Sequence, residues 1–135
     1  MNELPPPPDT AVLDRLARDR NVWLCTLRPD GSPHVTPVWF VFLRDRWWIG
    51  TDDGAVKLRN VRRDPRVSLA LEDGWAPVVA EGEARVHEGR FPADVVAAFA
   101  AKYDGWDVTA PYRAGAGRAL LEVPVRRWLL AGTAR

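Results

Sequence analysis

Cysteine is the first scarcity. Cys25 stands alone, which excludes an internal disulfide and fits a reducing compartment. No apolar run approaches the roughly 18 residues of a membrane span, and the first residues lack the basic-then-apolar order of a signal peptide. The expectation is a cytoplasmic protein with no membrane partner. Net charge is nearly absent too. Nineteen Lys and Arg against 18 Asp and Glu leave +1 at neutral pH, too little to draw the whole chain to nucleic acid or acidic lipid. Histidine is sparse. His34 and His87 have no ligand-like spacing, so no metal site is expected. Nor does the chain show a Ser–His–Asp set, and no catalytic side chain is assigned.

What is abundant is tryptophan, with seven in 135 residues; large aromatics suit cores, interfaces and ring-binding pockets alike. The length allows one domain with a real core but is short for an enzyme that builds its whole site alone. Residues 1–8 read as a proline-rich tail of extended polyproline type, and 9–135 as a single domain without internal repeats. Asp9 or Thr10 can cap a helix reaching about Arg20, with Val12, Leu13 and Leu16 on its buried face. Val22–Leu27 reads as a strand, followed by the turn signal Pro29-Asp30-Gly31. Ser32–Leu43 is the return strand, with Val38, Phe40 and Phe42 facing one way and Trp39, Val41 and Leu43 the other.

A third strand runs from Arg46 to Thr51, and a short basic helix stops at Asp64-Pro65. Arg66–Glu72 is a fourth strand. Val78–Glu88 is a fifth that Gly82 bends. Pro92 opens a helix to about Tyr103, residues 105–117 form a loop, and Arg118–Leu130 is a last strand in which Pro124 implies an edge or a bulge. About six antiparallel strands with helices between them predict a mainly β fold, a small closed or nearly closed barrel.

The chemistry concentrates between Ile49 and Val67. A strand end with Thr51, a turn at Asp53-Gly54 and a helix N-terminus precede Lys57, Arg59, Arg62, Arg63 and Arg66. Unsatisfied N–H groups and the helix dipole favour an anion there. At helical spacing the four arginines share one face, and the stretch reads as a phosphate grip or as a solvated basic face. Asp52-Asp53 reads as a solvated turn and Cys25 as a small buried hydrophobe.

Leu24–Phe40 and Lys57–Leu69, in this order and spacing, resemble the pyridoxamine-5′-phosphate-oxidase-like split-barrel proteins, and within them the small members that use the deazaflavin coenzyme F420. Arg127-Trp128-Leu129 resembles the closing strand of that family. The resemblance implies a split β-barrel homodimer with cofactor sites between the subunits. It implies ring contacts from the His34–Trp39 strand, with Thr36, Pro37 and Val38 contributing backbone, His34 beside the ring and Trp39 near it. It places Lys57 on a phosphate, Thr51 and Asn60 as hydrogen-bond partners of the same tail, and Arg62 or Arg63 on an acidic extension. The activity implied is an oxidoreductase passing hydride from reduced coenzyme F420 to a small organic acceptor. FMN is the alternative cofactor, since it needs only the phosphate grip.

Two other classes remain open on the residues alone. A protein that binds flavin, deazaflavin or haem without turnover would show the same strands, although haem needs an axial ligand such as His34, His87 or Cys25. A nucleic-acid-binding barrel would alternate aromatic and basic residues on one exposed face, which these strands do not, so no nucleic-acid partner is expected. Trp75, Trp106 and Tyr112 lie in loops and are candidates for lining an acceptor pocket, Trp106 first among them, against a role in dimer packing.

Overall fold

The computed structural model describes residues 8–134; apart from Pro8, the expected polyproline tail lies outside the described residues. Eight strands and three helices follow in the order α1 (Thr10–Arg18), β1 (Val22–Leu27), β2 (Pro33–Val38), β3 (Val41–Leu43), β4 (Arg46–Asp52), α2 (Val56–Arg63), β5 (Arg66–Leu71), β6 (Val78–Glu83), β7 (Arg85–Glu88), α3 (Ala93–Lys102) and β8 (Arg118–Ala131). They form one curled antiparallel sheet in the order β2-β1-β5-β6-β8-β4-β3, with β7 also on β8. This is a split barrel.

The 14-residue β8 closes it. Residues 118–124 pair with β4, and residues 125–131 pair with β6 through two register shifts. Pro124 sits at the change of partner, where a missing N–H does least harm. Gly82 makes the crossing possible, because a Cβ there would run into the Pro124 carbonyl oxygen and lie 2.8 Å from Val123 Cγ1.

Two expected strands are broken, which raises the count from six to eight. The return strand stops after Val38 because α3 claims the next backbone groups. The Phe40 N–H donates to the Tyr103 hydroxyl at 2.9 Å, and the Phe40 carbonyl accepts from Lys102 Nζ at 3.0 Å. Phe40 and Val41 are consequently both buried, and the expected alternation of faces fails there. The strand at 78–88 breaks at Ala84, whose N–H turns to the Pro65 carbonyl at 2.8 Å.

In α1, Asp9 is the cap, accepting from the Val12 N–H at 3.0 Å. Val12 and Leu16 are buried, but Leu13, expected beside them, is 41% exposed. The main core fills the curl with Leu24, Phe40, Trp47, Ile49, Leu69 and Leu121. A second, under α3, joins Trp48, Phe99, Tyr103, Val108 and Leu120.

Candidate functional site

A cleft of about 500 Å³ opens where four pieces of chain meet. The end of β2 contributes Pro37 and Val38, followed by Trp39; the end of β4 contributes Gly50, Thr51 and Asp52. Ala55 and Lys57 come from the start of α2, and Trp106 and Tyr112 from the loop before β8. Asn21 completes the rim.

One wall is aromatic. Trp39 lies flat on Tyr103, with centroids 4.4 Å apart and planes at 4°, and meets Trp106 edge-on at 5.2 Å, the two geometries that aromatic quadrupoles favour. Tyr103 is fixed beneath it: its hydroxyl accepts from the Phe40 N–H and lies 2.9 Å from the Arg20 and Phe40 carbonyls. Burial pushes that phenol up to about 12. Trp39 itself remains 41% exposed, an apolar plate at the cleft.

The same cleft carries a cation. Lys57 is half-buried, and among the described residues it has no salt-bridge partner and no side-chain hydrogen bond. Burial lowers its pKa, partly opposed by the field of Asp52. No side chain caps α2, whose N-cap is Ala55. His34 and Thr36 lie on the same side of β2 as Val38. Both are half-buried, and the His34 Nδ1 and Thr36 Oγ1 atoms are shielded from solvent without any partner. Burial lowers the His34 pKa, with the charges of Arg28 and Lys57 acting in the same direction. An unpaired cation and unpartnered polar atoms across a strand end are what a phosphorylated ring compound could satisfy.

The structure thus brings Pro37, Val38, Trp39, Thr51, Lys57 and Trp106 into one cleft, while His34 and Thr36 lie on the face of β2 that carries Val38 but outside the cleft lining. It sends the others elsewhere. Asn60, expected on the cofactor tail, is 2% exposed. Its Nδ2 donates to Thr26 Oγ1 at 3.0 Å and its Oδ1 accepts from Arg63 at 3.3 Å.

The expected arginine face does not form, since Arg66 belongs to β5 and pairs with Asp64 at 2.6 Å. Arg62 pairs with Glu88 at 2.6 Å. Arg59 donates to the Gly54 carbonyl at 2.8 Å and Arg63 to that of Leu27. Trp75, expected at an acceptor pocket, is 93% exposed and outside the cleft. Asp52 is not a free turn acid, because Arg118 Nη1 lies 3.2 Å from its Oδ1. Arg118, Gly50 and Asn21 are residues that sequence reasoning missed. Only Gly50 left a local signal, a glycine inside an apolar strand, which marks a close approach.

A second cleft of about 510 Å³ lies on the outer face of β1, β5, β6 and β8. Its charges answer one another: Arg126 holds Glu83 at 3.2 Å, Arg127 holds Glu81, and Arg66 holds Asp64. Among the described residues no cluster of three or more His, Cys, Asp or Glu could hold a metal ion. None of the described helices is long and apolar enough to cross a membrane.

Known proteins share this fold. The sequence profile described as Pyridoxamine 5'-phosphate oxidase matches residues 8–131. The chain belongs to that family. Among solved structures, an F420 reductase superposes with a TM-score of 0.69 at 22% identity, covering 85% of this chain and 93% of that one. A pyridoxamine 5'-phosphate oxidase-related, FMN-binding protein from Nostoc punctiforme superposes at 0.59 with 17% identity, covering 85% and 76%. A haem storage protein from Vibrio cholerae reaches 0.73 at 17% identity, covering 92% and 95%. These likenesses show a shared fold, which in its family includes oxidoreductases and carries flavin, deazaflavin and haem binders.

Proposed function

We propose that this protein is an oxidoreductase that holds coenzyme F420 in the cleft between β2, β4 and α2, as a homodimer, and serves hydride transfer to a small organic acceptor. The observation that carries the reading is Lys57, an unpaired, half-buried cation lining the same cleft as Trp39 and Trp106, with the unpartnered polar atoms of His34 and Thr36 on the adjoining strand β2. When bound, the cofactor supplies the redox chemistry, and the protein supplies binding, orientation and electrostatics. Lys57 would meet a phosphate oxygen. The Thr51 hydroxyl and the free N–H groups at the start of α2 lie on the same wall.

Pro37, Val38 and Trp39 offer a flat apolar surface to a tricyclic ring, and Trp106 excludes water from its edge. His34 Nδ1 and Thr36 Oγ1 would gain the hydrogen-bond partners they lack. Arg59 and Arg63 touch only neutral acceptors, so their charge is available to the polyglutamate tail of coenzyme F420. FMN has no such tail, and it is the second reading of the same phosphate grip.

Trp39 and Trp106 make the test direct, because a ring bound beside them quenches their emission. Titration with coenzyme F420 and separately with FMN is expected to give tight binding of the deazaflavin and weaker binding of FMN. Lys57→Ala is expected to weaken binding by about 1.5–3 kcal/mol, the range for a hydrogen bond to a charged group. Binding that survives this change in a folded barrel would remove Lys57 from the phosphate. Preference for FMN would move the protein to the flavin branch.

A further inference from the structure

Lys57 is unpaired although an acid lies within reach of its field. Asp52 lines the same cleft and is the carboxylate that opposes the drop in the Lys57 pKa. A lysine beside a free carboxylate in a part-buried cleft gains by closing into an ion pair. In the structure that carboxylate is paired with Arg118 instead.

Arg118 stands directly opposite Asp52 in the β4–β8 register, with Nη1 3.2 Å from Oδ1. Its side chain is only 4% exposed. Nε donates to the Val108 carbonyl at 3.1 Å. The guanidinium carbon lies 4.9 Å from the centroid of Tyr112 and 5.8 Å from that of Trp106, within cation–π range. Gly50 makes room for it: a Cβ there would come 2.9 Å from Arg118 Nη2 and collide with Val108. Nη2 is buried without a partner. A merely structural cation at this place would be better replaced by an apolar side chain of similar volume, since burying a guanidinium with an unpartnered donor is costly. Of the groups around it, Asp52, Trp106 and Tyr112 line the cleft.

We infer that Arg118 is a positioning residue for the anion site: it holds the Asp52 carboxylate away from Lys57 and backs the Trp106–Tyr112 wall, so that Lys57 faces the cleft as an uncompensated cation. The inference rests on the reading of the cleft as the seat of a phosphorylated cofactor.

Its test does not need that cofactor. The chain has two lysines, Lys57 and Lys102, so a protein labelled with ¹³C-lysine gives two side-chain titrations by NMR. In Arg118→Met the released Asp52 is expected to pair with Lys57 and raise its pKa by about one pH unit or more, with Lys102 unmoved. Adding Asp52→Asn to that variant is expected to bring Lys57 back down. In parallel, FMN and coenzyme F420 are expected to bind roughly tenfold more weakly to Arg118→Met, about the effect of one pH unit in coupling, and to recover in the double variant.

An unmoved Lys57 in folded Arg118→Met overturns the inference. So does an Asp52→Asn change that fails to reverse the effect, which would leave Arg118 a purely structural group. Arg118→Gln, which still donates toward Val108, carries the same expectation where Arg118→Met does not fold. A Lys57 that moves as expected in a protein binding neither probe supports the role of Arg118 and overturns the proposed cofactor instead.

Discussion

Among the basic side chains from Lys57 to Arg66, position in the sequence is a poor guide to what each does. Lys57 faces the cleft, Arg62 and Arg66 are paired with acids, and Asn60 between them is a core residue. Asn60→Ala is therefore expected to act on stability. It leaves the buried Thr26 hydroxyl without its donor and removes an acceptor from Arg63, a loss of about 1–3 kcal/mol for an unsatisfied buried group. Urea unfolding measures it, and a wild-type midpoint would show that the Thr26 contact contributes nothing. Arg62→Ala breaks an exposed pair and is expected to change stability by no more than about 1 kcal/mol. Lys57 and Thr51 could be singled out from the sequence because a strand end, a turn and a helix start are local features, whereas Trp39 came only from the family resemblance. Arg118 could not, because its meaning comes from a partner 66 residues away that only the sheet register supplies.

At the scale of elements, α3 is tied to the rest by its last side chain and by Tyr103, which caps its C-terminus. Lys102 donates to the Leu16 and Phe40 carbonyls at 3.1 and 3.0 Å, and Tyr103 holds the Phe40 peptide from the other side. Burial lowers Lys102 to about 8 and raises Tyr103 to about 12. The signs oppose each other in different windows. Between about pH 8 and 10.5 the unfolded chain holds the lysine proton and the folded one sheds it, so stability rises with pH. Above about pH 10 the unfolded tyrosine ionises while the folded one stays protonated, so stability falls toward pH 12.

Denaturation midpoints are expected to climb from pH 8 and turn down above pH 10. Lys102→Met should remove most of the climb, with the remainder belonging to Lys57, whose pKa is lowered as well. A flat profile from pH 8 to 10 in the wild type would show that Lys102 keeps its ordinary proton affinity. The same ties explain what sequence periodicity missed. The unbroken apolar run from Val38 to Leu43 reads as the continuation of one strand, and only the arrival of Tyr103 at the Phe40 peptide interrupts it. Pro124 and Gly82 were legible as a bulge and a bend, because each has a steric meaning independent of context. Gly82→Ala is accordingly expected to cost about 1–3 kcal/mol by overpacking against Pro124 and Val123, again read by urea unfolding.

For the whole molecule, the open question is what the outer face of the sheet meets. The curl buries one face and leaves the other to β1 and its neighbours, where Trp23 is 38% exposed, Val35 51% and Leu129 47%. The same face carries charges in close opposite pairs, Arg127 with Glu81 and Arg126 with Glu83. A surface carrying both signs beside an apolar centre can meet its own copy across a two-fold axis, since each arginine can find the partner's acid. We propose this face as the homodimer interface. Val35 projects from β2, whose opposite side carries His34 and Thr36, so the interface and the cleft would share one strand, and the two sites would be built at its two faces.

Sedimentation equilibrium of the wild type is expected to show a dimer. Val35→Glu sets like charges near the axis, where desolvation cannot be offset, and is expected to yield a folded monomer with weaker cofactor binding. A dimer that withstands Val35→Glu places the contact on another face. A folded monomer that binds cofactor as tightly as the wild type shows instead that one chain suffices for the cleft.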